Sequence, residues 1–120
     1  MGTPAYVEHG RIHFETKEAA GEALPLIRGW IDRANRGALD EAVEGENGDY
    51  QIYDTDVEYD FVVFRADSGR IYNMVWQMEN FLKFVKTLPG VCVMEAPVTI
   101  IDEDSSVYWN KEDEEEILVD

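Results

Sequence analysis

From Gly48 to Arg65 the chain reads GDYQIYDTDVEYDFVVFR, and in it Asp54, Asp56, Glu58 and Asp60 alternate with Tyr53, Thr55, Val57, Tyr59 and Phe61. Successive side chains of a β-strand point to opposite faces, so the alternation predicts one acidic face and one aromatic face. The carboxylates would stand roughly 6.6 Å apart in a straight row, twice the rise per residue. Phe61 to Phe64 follows as a continuous apolar run, the pattern of a strand buried on both faces. A turn at Asp54-Thr55-Asp56 is the competing reading, and it would gather the same carboxylates at the tip of a hairpin.

The remaining pattern predicts the other elements. Ala5 to Glu15 reads as a strand, with Tyr6, Ile12 and Phe14 on one face and His9, Arg11 and His13 on the other. Thr16 is placed to cap a helix running to Arg36, whose Ala20, Ala23, Leu24, Ile27, Trp30, Ile31 and Ala34 fall near helical spacing. Pro25 predicts a kink or a fresh helical start, because an internal proline forfeits a backbone hydrogen bond. Gly37 is the expected stop, followed to Asp49 by an acidic connector with a helical turn at Leu39 to Val43 and a turn signal at Asn47-Gly48. A second helix is predicted from Ile71, since Met74, Val75, Met78, Leu82 and Val85 recur at helical intervals until Pro89-Gly90. Its alternative is a short strand from Arg70 to Val75 with the helix starting near Trp76. Val91 to Met94 and Val98 to Ile101 are strand material interrupted by Ala96-Pro97, where a bulge or a sheet edge is expected. Asp102 to Ser106 reads as a turn, and Val107-Tyr108-Trp109 as one more short strand.

Strand, helix, two strands, helix and strand is the order of a ferredoxin-like α+β sandwich (βαββαβ), an antiparallel sheet with two helices on one face. Residues 1–110 are expected to form this single domain, and 111–120 an acidic C-terminal tail. At 120 residues and 45% apolar composition the chain can bury one core without disulfides or metal. Cys92 is the single cysteine, so no internal disulfide can form, and its setting in Val91-Cys92-Val93-Met94 reads as a core thiol in a reducing compartment. No apolar stretch has signal-peptide length or approaches the roughly 20 residues of a membrane span, so a cytoplasmic protein without membrane contact is expected.

Charge changes the picture most. The formal net charge is −16, and its distribution is uneven. Between Arg36 and Arg65 there are nine acids and no base, and from Asp102 onward nine more acids against Lys111 alone. The other eight of the 26 acids face nine of the ten bases, a net of +1. A uniformly acidic surface that only solubilises, or adapts the chain to high salt, is the simplest alternative. Against it, the predicted helices carry Arg28, Arg33, Arg36, Arg70, Lys83 and Lys86. A chain of this charge should be repelled by nucleic acid and by anionic membranes, so direct binding to either is not expected as its role.

No enzymatic chemistry emerges from the motifs. Asp54-x-Asp56-x-Glu58 lacks the sixth-position Gly and twelfth-position Glu of a calcium loop, having Tyr59 and Arg65 there. Magnesium-dependent phosphoryl transfer through Asp54, Asp56 or Asp102 would also require a grip on an anionic substrate, and neither a Gly-rich phosphate loop nor a basic cluster accompanies the acids. Ser68, Ser105 and Ser106 sit in turn-like sequence outside any nucleophile elbow. His9 and His13 lie about 13 Å apart along a strand, too far to share a metal, and one Cys with two His cannot complete a zinc site. No catalytic residue, metal or cofactor is therefore expected.

In charge pattern and size, though in no shared motif, the chain resembles the small acidic nucleic-acid mimics (DNA mimics) that phages often encode against CRISPR or restriction machinery. The resemblance implies an inhibitor acting in the host cytoplasm by protein–protein interaction, of anti-CRISPR or anti-restriction type. Its partner would be a basic nucleic-acid-binding protein, met through Glu44, Glu46, Asp49, Asp54, Asp56, Glu58 and Asp60. An oligomerising α+β domain, paired with a second copy of itself, is the alternative from another functional class, and a magnesium-dependent enzyme comes third.

Overall fold

The computed structural model describes residues 5–68, 71–100 and 104–113. In chain order they form strand β1 (Ala5–Phe14), helix α1 (Lys17–Asn35), strands β2 (Ile52–Glu58) and β3 (Phe61–Ser68), helix α2 (Ile71–Val85), and strands β4 (Val91–Ile100) and β5 (Asp104–Asn110). A 3-10 turn follows at Lys111–Asp113. Every strand pairing is antiparallel, and the sheet runs β2-β3-β1-β4-β5. The chain is thus an α+β fold with one five-stranded sheet and two helices.

Local chemistry sets the limits of α1. The Thr16 hydroxyl accepts the Ala19 N–H at 3.0 Å, satisfying a donor that the first turn leaves unpaired. At the other end Gly37, at φ +69, takes the left-handed conformation that a side chain would resist. Its N–H reaches the Ala34 carbonyl while the Ala38 N–H reaches Arg33, the paired bonds of a Schellman stop. Pro25 neither breaks nor restarts the helix, contrary to expectation. It lies on the exposed side, and Gly21, whose carbonyl loses its partner there, is exposed to solvent as well.

Both helices bury their apolar sides against the same sheet face. Val7, Ile12, Val62, Phe64 and Met94 meet Ala23, Ile27 and Trp30 of α1 and Met74, Met78 and Phe81 of α2 in one core. Trp30 stacks on Phe84 at 5.0 Å and leans on Phe81 at 5.9 Å, which locks the helices to each other. Phe64 meets Phe81 edge-on at 5.3 Å. Its ring occupies the space beside Gly10, where a Cβ would come within 2.4 Å of ring carbons.

Register explains where expectation and structure part. A bulge between Val7 and Gly10 shifts the phase of β1, so Tyr6 joins His9, Arg11 and His13 on the exposed face instead of Ile12 and Phe14. β3 is buried on one face only: Val62 and Phe64 are covered, while Phe61 and Val63 stay half-exposed. β4 runs unbroken through Pro97, which lies between β1 and β5 rather than at a sheet edge. It sits opposite the β1 bulge, where the ladder is already interrupted, so its missing N–H is tolerated. α2 does begin at Ile71. The expected tail beyond Asp113 and the Asp102 candidate lie outside the described residues.

Candidate functional site

β2 is an outer strand of the sheet, and the candidate carboxylates lie along it and at both of its ends. They do not form the straight row that simple alternation predicts. Tyr53 pairs with Arg65 and Asp56 with Val63, so Asp54 and Thr55 together stand opposite Phe64 alone, and Asp54 takes φ +52 within this bulge. Aspartate is among the few side chains that tolerate that conformation. The phase shift carries Tyr53 onto the same face as Asp56 and Glu58, and all three are exposed. Beyond Glu58 a two-residue turn presents Tyr59, 79% exposed at φ +55, and then Asp60.

Arginines respond to the bulge without neutralising the whole edge. Arg28 of α1 donates to the Thr55 hydroxyl at 2.9 Å and to its carbonyl at 2.6 Å, clamping the backbone of β2 from the helix layer. Arg65 stands 3.7 Å from the Asp54 carboxylate. Asp56 turns back to accept the Val57 N–H at 2.8 Å. Among the described residues, Asp56, Glu58 and Asp60 have no ion-pair partner.

The other three candidates sit in the connector at the opposite end of β2. Roughly 30 Å of extended chain separates Asp49 from Glu58, so the seven fall into two groups. Leu39 to Asp49 is anchored to the core by polar bonds: the Trp30 indole donates to the Glu44 carbonyl at 2.9 Å, and the Asn47 side chain bridges Leu39 N–H and C=O at 2.8 and 3.0 Å. The helical turn expected at Leu39 to Val43 takes the form of a turn in which Val43 and Glu44 both donate to the Asp40 carbonyl. Glu44 is paired with Arg33, and that guanidinium, helped by the Asp40 N–H, holds its carboxyl below the usual range. Glu46 accepts the Trp76 indole N–H at 3.1 Å, and Asp49 accepts from the Gln51 amide at 2.9 Å. Gly48 is pressed on Trp76 so closely that a Cβ would lie 2.4 Å from its ring. Tyr50, buried beneath the connector, donates to the Glu46 carbonyl at 2.8 Å. Burial, followed by the charges of Glu46 and Glu41, pushes its phenol up to about 12.

Two features of the neighbourhood escaped sequence reasoning. Gln77, fully buried on α2, accepts the Gln51 N–H at 2.7 Å and so fixes the start of β2. The sheet face away from the helices carries Glu58, Phe61, His13, Val93 and Asn110 in one row across the strands, and Asp56, Val63, Arg11, Glu95 and Tyr108 in the next. His13 and Glu95 meet diagonally at 3.1 Å on it. The isolated Gly10 inside a strand pattern was an available signal for the bulge that organises this face; Gln77 gave none.

Among the described residues no three potential metal-ligating side chains converge, and no helix is long and apolar enough to cross a membrane. Cys92 is half-buried on β4 rather than part of the core, and that burial, with the nearby Glu15 charge adding to the effect, pushes its thiol up. No protein-family model matches the chain, and no curated protein or solved structure proves similar to it.

Proposed function

We propose that this chain is a cytoplasmic binding protein that occupies the cationic, nucleic-acid-binding surface of another protein, without catalytic chemistry or a cofactor of its own. The observation that carries the reading is the exposure of Asp56, Glu58 and Asp60 along an edge strand and its turn, free of ion pairs among the described residues and flanked by Tyr53 and Tyr59. Arginines and lysines that normally pair with phosphates would take these carboxylates in charge-assisted bonds, and the tyrosines would add apolar contact. The net charge of −16 would steer the encounter. Glu46 and Asp49 offer a second contact; Glu44 and Asp54 contribute less, because Arg33 and Arg65 already balance them. The scaffold on this reading is a ferredoxin-like βαββαβ core, supported by the order β2-β3-β1-β4, with β5 appended. Resemblance in charge and size favours a phage anti-defence inhibitor, of anti-CRISPR or anti-restriction type.

The test is displacement of a fluorescent DNA duplex from a panel of CRISPR effectors and restriction enzymes. Displacement should weaken steeply with added salt and fall at least about tenfold when Asp56, Glu58 and Asp60 are together changed to Lys. Displacement indifferent to that triple change, or none from any member of the panel, would overturn the reading.

A second reading is favoured by the sheet face that the described residues leave uncovered, where half-exposed Phe61, Val63 and Val93 would suit a homodimer. The basic groups on β1 oppose it: a two-fold axis lying along β1 sets Arg11 against its own copy. Sedimentation equilibrium separates the readings, since the dimer should be visible without any partner.

A further inference from the structure

Apart from the acidic edge, and independent of it, the sheet face away from the helices holds a groove of about 360 Å³ over β1, β4 and β5, lined in part by His9, Arg11, Glu95, Pro97, Ser106 and Tyr108. It lies where the β1 bulge puts that strand out of register with β4, opposite Pro97. Four arginines of the described chain are committed elsewhere: Arg28 to Thr55, Arg33 to Glu44, Arg36 to Asp32 and Arg65 to Asp54. Arg11 has no ion-pair partner among the described residues. Its guanidinium lies 5.2 Å from the centre of the Phe61 ring, a contact that orients the planar fork and leaves its N–H donors available. Glu95 is its direct cross-strand neighbour, yet that carboxylate is taken by His13 at 3.1 Å.

We propose that this groove binds a small aromatic carboxylate, its single anionic group on the Arg11 fork and its ring against Pro97 and Tyr108. A carboxylate matches the paired N–H donors of a guanidinium, and His9, Ser106 and Tyr108 add polar groups around the same space. The volume is at the small end of ligand sites, enough for one ring and its substituent. A polyphosphate is disfavoured, because the −16 field and the Glu95 carboxylate at the groove repel each added charge.

The probe is benzoate, titrated into the isotope-labelled full chain and followed by amide chemical shifts, with benzyl alcohol as its uncharged counterpart. Saturable shifts are expected at His9, Arg11, Glu95 and Tyr108. Affinity should fall at least about tenfold for benzyl alcohol and for Arg11→Met, with Arg11→Lys between wild type and Arg11→Met. Shifts that never saturate, or equal affinity for the two probes, would overturn the proposal, as would retained benzoate binding in Arg11→Met. If Arg11→Met loses its native spectral dispersion, the comparison of benzoate with benzyl alcohol on the wild-type chain decides alone. A failed benzoate titration leaves the β2 edge untouched, since none of its acids lines the groove.

Discussion

Trp30→Phe tests whether the acidic connector is held by the core or merely rests on it. Trp30 is fully buried, stacks on Phe84, meets Tyr50 at 4.9 Å and donates its indole N–H to the Glu44 carbonyl. Phenylalanine keeps one ring but removes about two apolar carbons, worth about 1.5 kcal/mol. It also deletes the indole bond, about 1 kcal/mol, and leaves an imperfectly filled hole. The expected loss is about 3 kcal/mol. With a urea slope of about 1.5 kcal/mol per molar, the midpoint should fall by about 2 M at unchanged slope. Amide exchange between Asp40 and Gly48 should accelerate beyond what the global loss accounts for, because the indole is a direct tether of that segment. A loss below about 1 kcal/mol, or a larger loss with no selective change in the connector, would refute this account of how its carboxylates are positioned.

Gly10→Ala should destabilise the chain by about 1–3 kcal/mol, because the new methyl meets the buried Phe64 ring; an unchanged melting temperature would show that the ring can yield. Tyr50 makes stability fall on the alkaline side. Its folded pKa of about 12 lies above the ordinary value near 10, so its contribution is whole below about pH 10 and is lost as pH rises towards 12. Two units correspond to about 2–3 kcal/mol, and Tyr50→Phe should remove that dependence while costing about 1 kcal/mol at neutral pH through the lost bond to Glu46. Urea midpoints for both proteins across this window check it: parallel curves would mean the phenol ionises as freely folded as unfolded.

What could be read from the chain was what neighbouring residues decide among themselves. Thr16 and Gly37 bound α1 through bonds to residues within five positions, so its limits were visible, as was its buried stripe from Ala20 to Ala34. Ile71 to Val85 was equally legible from spacing. The bulges were not, because they are decided across strands: Asp54 leaves the ladder where Arg28, 27 residues from Thr55, reaches in to hold the backbone. That displacement divided the expected row of carboxylates and turned Tyr53 to their side. The pairings Glu44 with Arg33 and Glu46 with Trp76 likewise depend on a connector folded back on both helices, which alternation along the chain cannot express.

The sheet's two outer strands are guarded unequally. β2 is kinked, clamped by Arg28 and dense with negative charge, all of which discourage another chain from extending the sheet on that side. β5 runs through seven regular pairs with β4, and from Ser105 to Asn110 it carries no charged side chain. Among the described residues nothing pairs with the outer side of β5, so a foreign strand added there would lie beside Ser106 and Tyr108, and lateral growth of the sheet would bear directly on any occupant of the groove.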